Sequence, residues 1–194
     1  MDWGLFGETF VTLVVIMDPI AAVPVFIAMT REFSPAERQR AAMRATVAAG
    51  TLVIGFALAG RAVLDYLDVS VGSLSIAGGL LLLLVALEML RGMDEPTETE
   101  DVALVPLATP LVAGPGAIAT VIVLSERGDG AGGRFGVILG ILAAVACIAL
   151  VLLAADRLAR SVPASLINFV TRVFGLLLAA IAVQLVVDGV HAVA

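Results

Sequence analysis

The sequence predicts an all-α polytopic membrane protein of about six transmembrane helices, arranged as two inverted three-helix repeats. Three observations carry that prediction. Apolar residues make up 61% of the 194-residue chain and charged residues only 14%, where soluble domains are about a quarter charged; mean hydropathy is +1.11. Apolar runs of the ~20 residues needed to cross a ~30 Å hydrocarbon core recur along the whole chain. A Pro-x4-Pro element in the first run returns in the fourth.

The runs are roughly Leu5–Thr30, Ala42–Leu64, Val71–Leu90, Val102–Leu124, Phe135–Ala154 and Phe169–Val187. The first follows Met1-Asp2-Trp3, with neither a basic n-region nor a small-residue cleavage site, and is expected to be retained as a helix. The third carries Gly78-Gly79, small residues that let helices approach closely. An acidic loop at about 92–101 joins repeat one (about 1–91) to repeat two (about 102–194). That loop is far shorter than the ~50 residues of an independent domain, so function is expected among the helices. The fifth run holds Cys147, the only cysteine; it reads as a small buried hydrophobe and rules out a disulfide within the chain. His191, the only histidine, has no ligand partner, and no metal or cofactor is expected. The net charge of −6, with no basic cluster, excludes nucleic acid as a partner.

The chain has arginines but no lysines, so the positive-inside rule rests on arginine alone. If every run crosses, Arg31, Arg38, Arg40, Arg44, Arg91, Arg157, Arg160 and Arg172 share one side, and Arg61, Arg127 and Arg134 share the other. The first group belongs in the cytoplasm, which places both termini outside in a plasma or inner membrane. Trp3 and Tyr66 then fall at the outer boundary, where amphipathic rings are enriched.

Asp18-Pro19-Ile20-Ala21-Ala22-Val23-Pro24 in the first run matches Thr109-Pro110-Leu111-Val112-Ala113-Gly114-Pro115 in the fourth, 91 residues on. Ser75-x3-Gly79 in the third matches Thr171-x3-Gly175 in the sixth, 96 residues on, in a register that pairs Glu88 with Gln184. Three crossings per copy invert the second copy, a common transporter architecture. Prolines remove backbone donors and break helices; in a membrane the freed groups must be buried in protein or face a cavity. Breaks are therefore expected at Asp18–Pro24 and Thr109–Gly116, with Gly114-Pro115-Gly116 the more completely unwound. Half-helix ends there would supply dipoles for an anion and carbonyls for a cation.

Asp18 lies near the middle of its run, where an ionised carboxylate costs about 2.5–3.5 kcal/mol on insertion scales. It reads as a proton carrier, as a counter-charge for an ammonium, or as the cap of a half-helix beginning at Pro19. Glu88 is the second candidate for ion coupling, although Arg91 three residues later suggests an interfacial ion pair. Gln184 is expected deep in the sixth helix, bonding across helices or touching solute. Asp156 and Asp188 read as solvated boundary charges.

Met17-Asp18-Pro19-Ile20-x3-Pro24-Val25-Phe26 and Pro106-Leu107-Ala108-Thr109-Pro110-Leu111-x2-Gly114-Pro115-Gly116-Ala117-Ile118 together resemble the MarC family of prokaryotic inner-membrane proteins over the full length. Ala21 stands where that family often has glycine. The resemblance implies a six-helix fold related to the LysE-type exporter superfamily, amino-acid transport of small neutral substrates such as glycine and alanine, and no enzymatic activity.

These readings converge on a secondary transporter of small zwitterionic solutes, working by alternating access and driven by protons, with sodium as the other coupling ion. Asp18, Pro19, Pro24, Thr109, Pro110, Gly114, Pro115, Gly116 and Gln184 are the expected substrate-binding positions, and Asp18 and Glu88 the ion-coupling ones. The competing classes are a passive channel and a structural membrane subunit. Oligomeric state, a homo-oligomer included, is left open.

Overall fold

The computed structural model describes residues 2–91, 114–128 and 130–193. Among these residues the chain forms eight helices and no strand: α1 (Trp3–Met17), α2 (Pro19–Met29), α3 (Pro35–Tyr66), α4 (Val71–Arg91), α5 (Pro115–Arg127), α6 (Gly130–Leu153), α7 (Ala155–Ser161) and α8 (Ala164–Val193). Four of them, α3, α4, α6 and α8, are long and apolar enough to cross a bilayer, and the bent pair α1–α2 makes a fifth if it counts as one span. At 1.5 Å per residue, the 13 residues of α5 reach only ~20 Å. The rest of the expected fourth span, with the acidic loop, Thr109 and Pro110, lies outside the described residues. The described helices therefore give four or five spans where the sequence predicts six.

Helix starts follow their local chemistry. Asp2 caps α1 by accepting from the Leu5 amide at 3.0 Å. Ser34 and Glu37 form a reciprocal capping box at the start of α3, with Pro35 in the first turn, where its missing N–H costs nothing. The Ser34 hydroxyl and amide hold the Glu37 carboxyl below its ordinary range.

The first break is narrower than the sequence predicts. It falls on Asp18 alone, and the two halves bend by 40°, while Pro24 stays inside α2. The reason is local. Asp18 turns left-handed (φ 30°, ψ 74°) and caps the next helix at once, so Pro19 restarts it as a first-turn proline. Ala21 needs no glycine freedom, because its amide is already the capped donor.

Outward faces are strongly apolar: Leu58, Leu150, Leu176 and Phe169 are each about two-thirds exposed, which suits lipid rather than water. Inside, one cluster joins Leu13, Phe26, Val53, Val121, Ile141 and Ile148 from α1, α2, α3, α5 and α6. A second joins Leu82, Ala86, Val123, Leu178 and Ala182 from α4, α5 and α8.

The most extensive helix pairing is α4 with α8, and small residues set its spacing. A Cβ placed on Gly79 would lie 2.6 Å from the Ala182 carbonyl, and one on Gly175 would lie 3.2 Å from the Ala86 carbonyl. Gly72 and Gly189 face each other's carbonyls further along. Backbones this close gain dispersion contacts that larger residues would forbid. Gly78, beside this seam, is pressed against Ala119 of α5 instead.

Candidate functional site

The break at Asp18 is buried: the residue is 6% exposed inside the bent α1–α2 span. A left-handed conformation at a residue other than glycine costs of order 1–3 kcal/mol, and persists only where the surroundings impose it. Oδ1 accepts from the Ala21 amide at 3.2 Å. Oδ2 is buried and has no hydrogen-bond partner among the described residues. The Thr171 hydroxyl of α8 lies beside this carboxylate, yet Thr171 Oγ1 too is buried without a partner among the described residues. The hydroxyl can donate to the carboxylate when it turns toward it, and a buried carboxylate with so few partners is where a proton, an ion or a solute atom would lower the energy. Thr171 is the residue that sequence reasoning missed here. Its place opposite Ser75 in the repeat was visible, but only the fold brings α8 against the break.

Asp18 therefore does cap a half-helix, as one sequence reading holds, and has one carboxylate oxygen to spare. The other predicted positions are divided. Pro19 and Pro24 belong to α2. Gly114 caps α5 with no side-chain bond, and a Cβ there would meet no atom of the described residues within 4 Å. Gly116 is buried against α4, where a Cβ would run into the Leu82 side chain, so its small size serves packing. Met17 and Ala22, which flank the break, share a buried cluster with Ala117 of α5. Glu88 is exposed on α4, and no ion pair joins it to Arg91.

Gln184 is placed differently from the expectation. It is exposed rather than deep, and donates to Asp188 on its own helix at 2.6 Å. Asp188, partly exposed near the end of α8, pairs with Arg127 of α5 at 2.6 Å, and Arg127 also reaches Glu8 of α1 at 3.1 Å. Beside them Arg61 of α3 pairs with Glu126 at 2.7 Å. At the opposite end Asp156 pairs with Arg38, whose guanidinium also donates to the Thr30 carbonyl at 2.8 Å. Single charges near helix ends read as solvated because their partners are more than 60 residues away in sequence.

The comparisons with known proteins agree on one family. The model for MarC family integral membrane proteins matches residues 3–194. The chain belongs to the MarC family. It is 38% identical to the UPF0056 membrane protein MJ1677 of Methanocaldococcus jannaschii, over 98% of each protein. It is 30% identical to the UPF0056 membrane protein YhcE of Escherichia coli, covering 99% of this chain and 94% of that one. For YvbG of Bacillus subtilis the identity is 29%, over 97% and 95%. No solved structure matches. Membership establishes an integral membrane protein of this family, in keeping with the apolar helices above.

Proposed function

We propose that this MarC protein is a secondary transporter of small zwitterionic solutes, glycine and alanine foremost, driven by protons through Asp18. The observation that carries the proposal is the buried Asp18 at the helix break, beside Thr171, with Oδ2 lacking a close hydrogen-bond partner among the described residues. Ionisable groups inside a span are expensive and are retained for function. A proton on Oδ2 would let the carboxyl donate to Thr171; its loss would leave a charge that a solute ammonium can meet. Sodium would be the alternative coupling ion.

Alternating access needs two halves that can rock. The helix pairings support inverted repeats: exchanging α2 with α5, α3 with α6 and α4 with α8, as the 91- and 96-residue shifts pair them, maps their main contacts onto one another. Thus α2 packs on α6 as α5 packs on α3, and α2 packs on α8 as α5 packs on α4. The seam supports the same relation at residue level. Gly79 against Ala182 and Gly175 against Ala86 are interchanged by the 96-residue shift, as a two-fold axis through the α4–α8 contact requires. Ion pairs join helices at both ends, Arg38–Asp156 at one and Arg127 with Glu8 and Asp188 at the other. With the arginine-rich end in the cytoplasm, the Arg127 end faces out.

The test is flux of labelled glycine and alanine in proteoliposomes. Saturable flux that follows an imposed pH gradient is the expected result. Unsaturable flux would favour a channel, and no flux a structural subunit.

A further inference from the structure

A cavity with an apolar wall and a charged rim lies apart from the break, at the end that carries both termini. It occupies about 130 Å³ between α1, α5 and α8, lined among others by Glu8, Thr12, Thr120, Arg127, Gln184 and Asp188. An apolar cavity of ~150 Å³ holds a benzene-sized molecule, so this one suits a solute of about six heavy atoms.

Its chemistry is that of a zwitterion. Arg127 bridges Glu8 and Asp188, which leaves one negative charge in excess, and the Gln184 amide already donates to Asp188. Thr120, 2% exposed, lines the cavity, and its Oγ1 has no hydrogen-bond partner among the described residues. A buried hydroxyl in that state calls for water or a ligand atom. The Arg61–Glu126 pair ties the end of α5 to α3 one residue before Arg127.

We propose that this vestibule is a second binding site for the zwitterionic solute, its carboxylate received by Arg127 and its ammonium by Glu8 and Asp188. A guanidinium offers five donors in a fork that fits a carboxylate bidentately. An arriving carboxylate takes the place of one acidic side chain on Arg127, and the released side chain meets the ammonium. The exchange preserves every charge pair while loosening α5 from α1 or α8, which couples loading to opening of this end. The inference rests on the transport reading for its solute class.

The experiment measures binding, without flux, on purified protein in lipid nanodiscs, with alanine, alanine methyl ester and propionate as probes. The wild type is expected to bind alanine better than either probe, each of which lacks one charge. Arg127→Gln should weaken alanine roughly ten- to hundred-fold, as expected for loss of a charge-assisted pair, and abolish its preference over the methyl ester. Glu8→Gln should erode the preference over propionate instead. Arg127→Lys keeps the charge and should restore part of the preference, which separates recognition from folding. Wild-type protein that does not bind alanine, or preferences that Arg127→Gln and Glu8→Gln leave unchanged, overturns the proposal. Discrimination that depends on Arg127 in a protein without flux would uphold the vestibule and sink the transport reading. Gradient-driven flux whose preferences ignore Arg127 would do the reverse.

Discussion

Substituting Gly79 by alanine tests the seam on which the two halves meet. An added Cβ would sit 2.6 Å from the Ala182 carbonyl oxygen, 2.7 Å from Val186 Cγ2 and 3.1 Å from the Val186 amide nitrogen. Two of those atoms are backbone and cannot rotate away, so α4 and α8 must separate. Overpacking of this kind costs about 1–3 kcal/mol, against a gain of up to about 1 kcal/mol from replacing glycine inside a helix. Gly55, on the exposed side of α3, has nothing within 4 Å of its added Cβ and should show the gain alone. The difference between the two variants cancels the propensity gain and is expected at about 1–3 kcal/mol. Denaturant unfolding in mixed micelles reads it. Gly175→Ala, whose nearest contacts lie at 3.0–3.3 Å, should fall between them. If Gly79→Ala proved as stable as Gly55→Ala, the close approach of α4 and α8 would be refuted.

Three further outcomes follow from the ends of the molecule. With Cys147→Ala as background and Thr171→Cys as reporter, Asp156→Asn should speed labelling of Cys at 171 by a soluble maleimide, because Arg38 loses its partner; an unchanged rate would mean that the pair closes nothing. Cysteines placed at positions 3 and 193 should react with an impermeant maleimide applied to whole cells, whereas one at position 40 should react only after lysis. The Glu37 carboxyl, held low by Ser34, favours folding above its ordinary value of 4.5, and that contribution is lost as pH falls through the lowered value. The stability difference between wild type and Ser34→Ala should therefore be constant near neutrality and shrink in acid. A difference that grew as pH fell would contradict this sign.

Most of the helices were legible in the sequence because apolar runs of bilayer length admit few alternatives. Val71–Leu90 corresponds to α4 (Val71–Arg91) almost residue for residue, and the break in the first run was visible in Asp18-Pro19. Its narrowness was not, since a capping carboxylate lets the helix restart at once, and two prolines alone do not reveal that. Gly116 illustrates the ambiguity of small residues: next to a proline it looks like room for a ligand, and in the fold it is room for Leu82. Thr171, Arg38 and Arg127 escaped because each acquires its meaning only from a distant partner. Exposed helix-end charges usually contribute little, so reading them as solvated was reasonable until the ends were seen to converge.

The central claim is that Asp18 carries the coupling proton. Its most direct test is accumulation of labelled alanine by proteoliposomes under an imposed pH gradient, with Asp18→Asn beside the wild type. Asparagine keeps the cap acceptor for the Ala21 amide but cannot take up or release a proton. Wild-type vesicles should concentrate alanine, and the variant should fall to the level of protein-free vesicles while still exchanging alanine for alanine. Undiminished gradient-driven accumulation by Asp18→Asn would contradict the account.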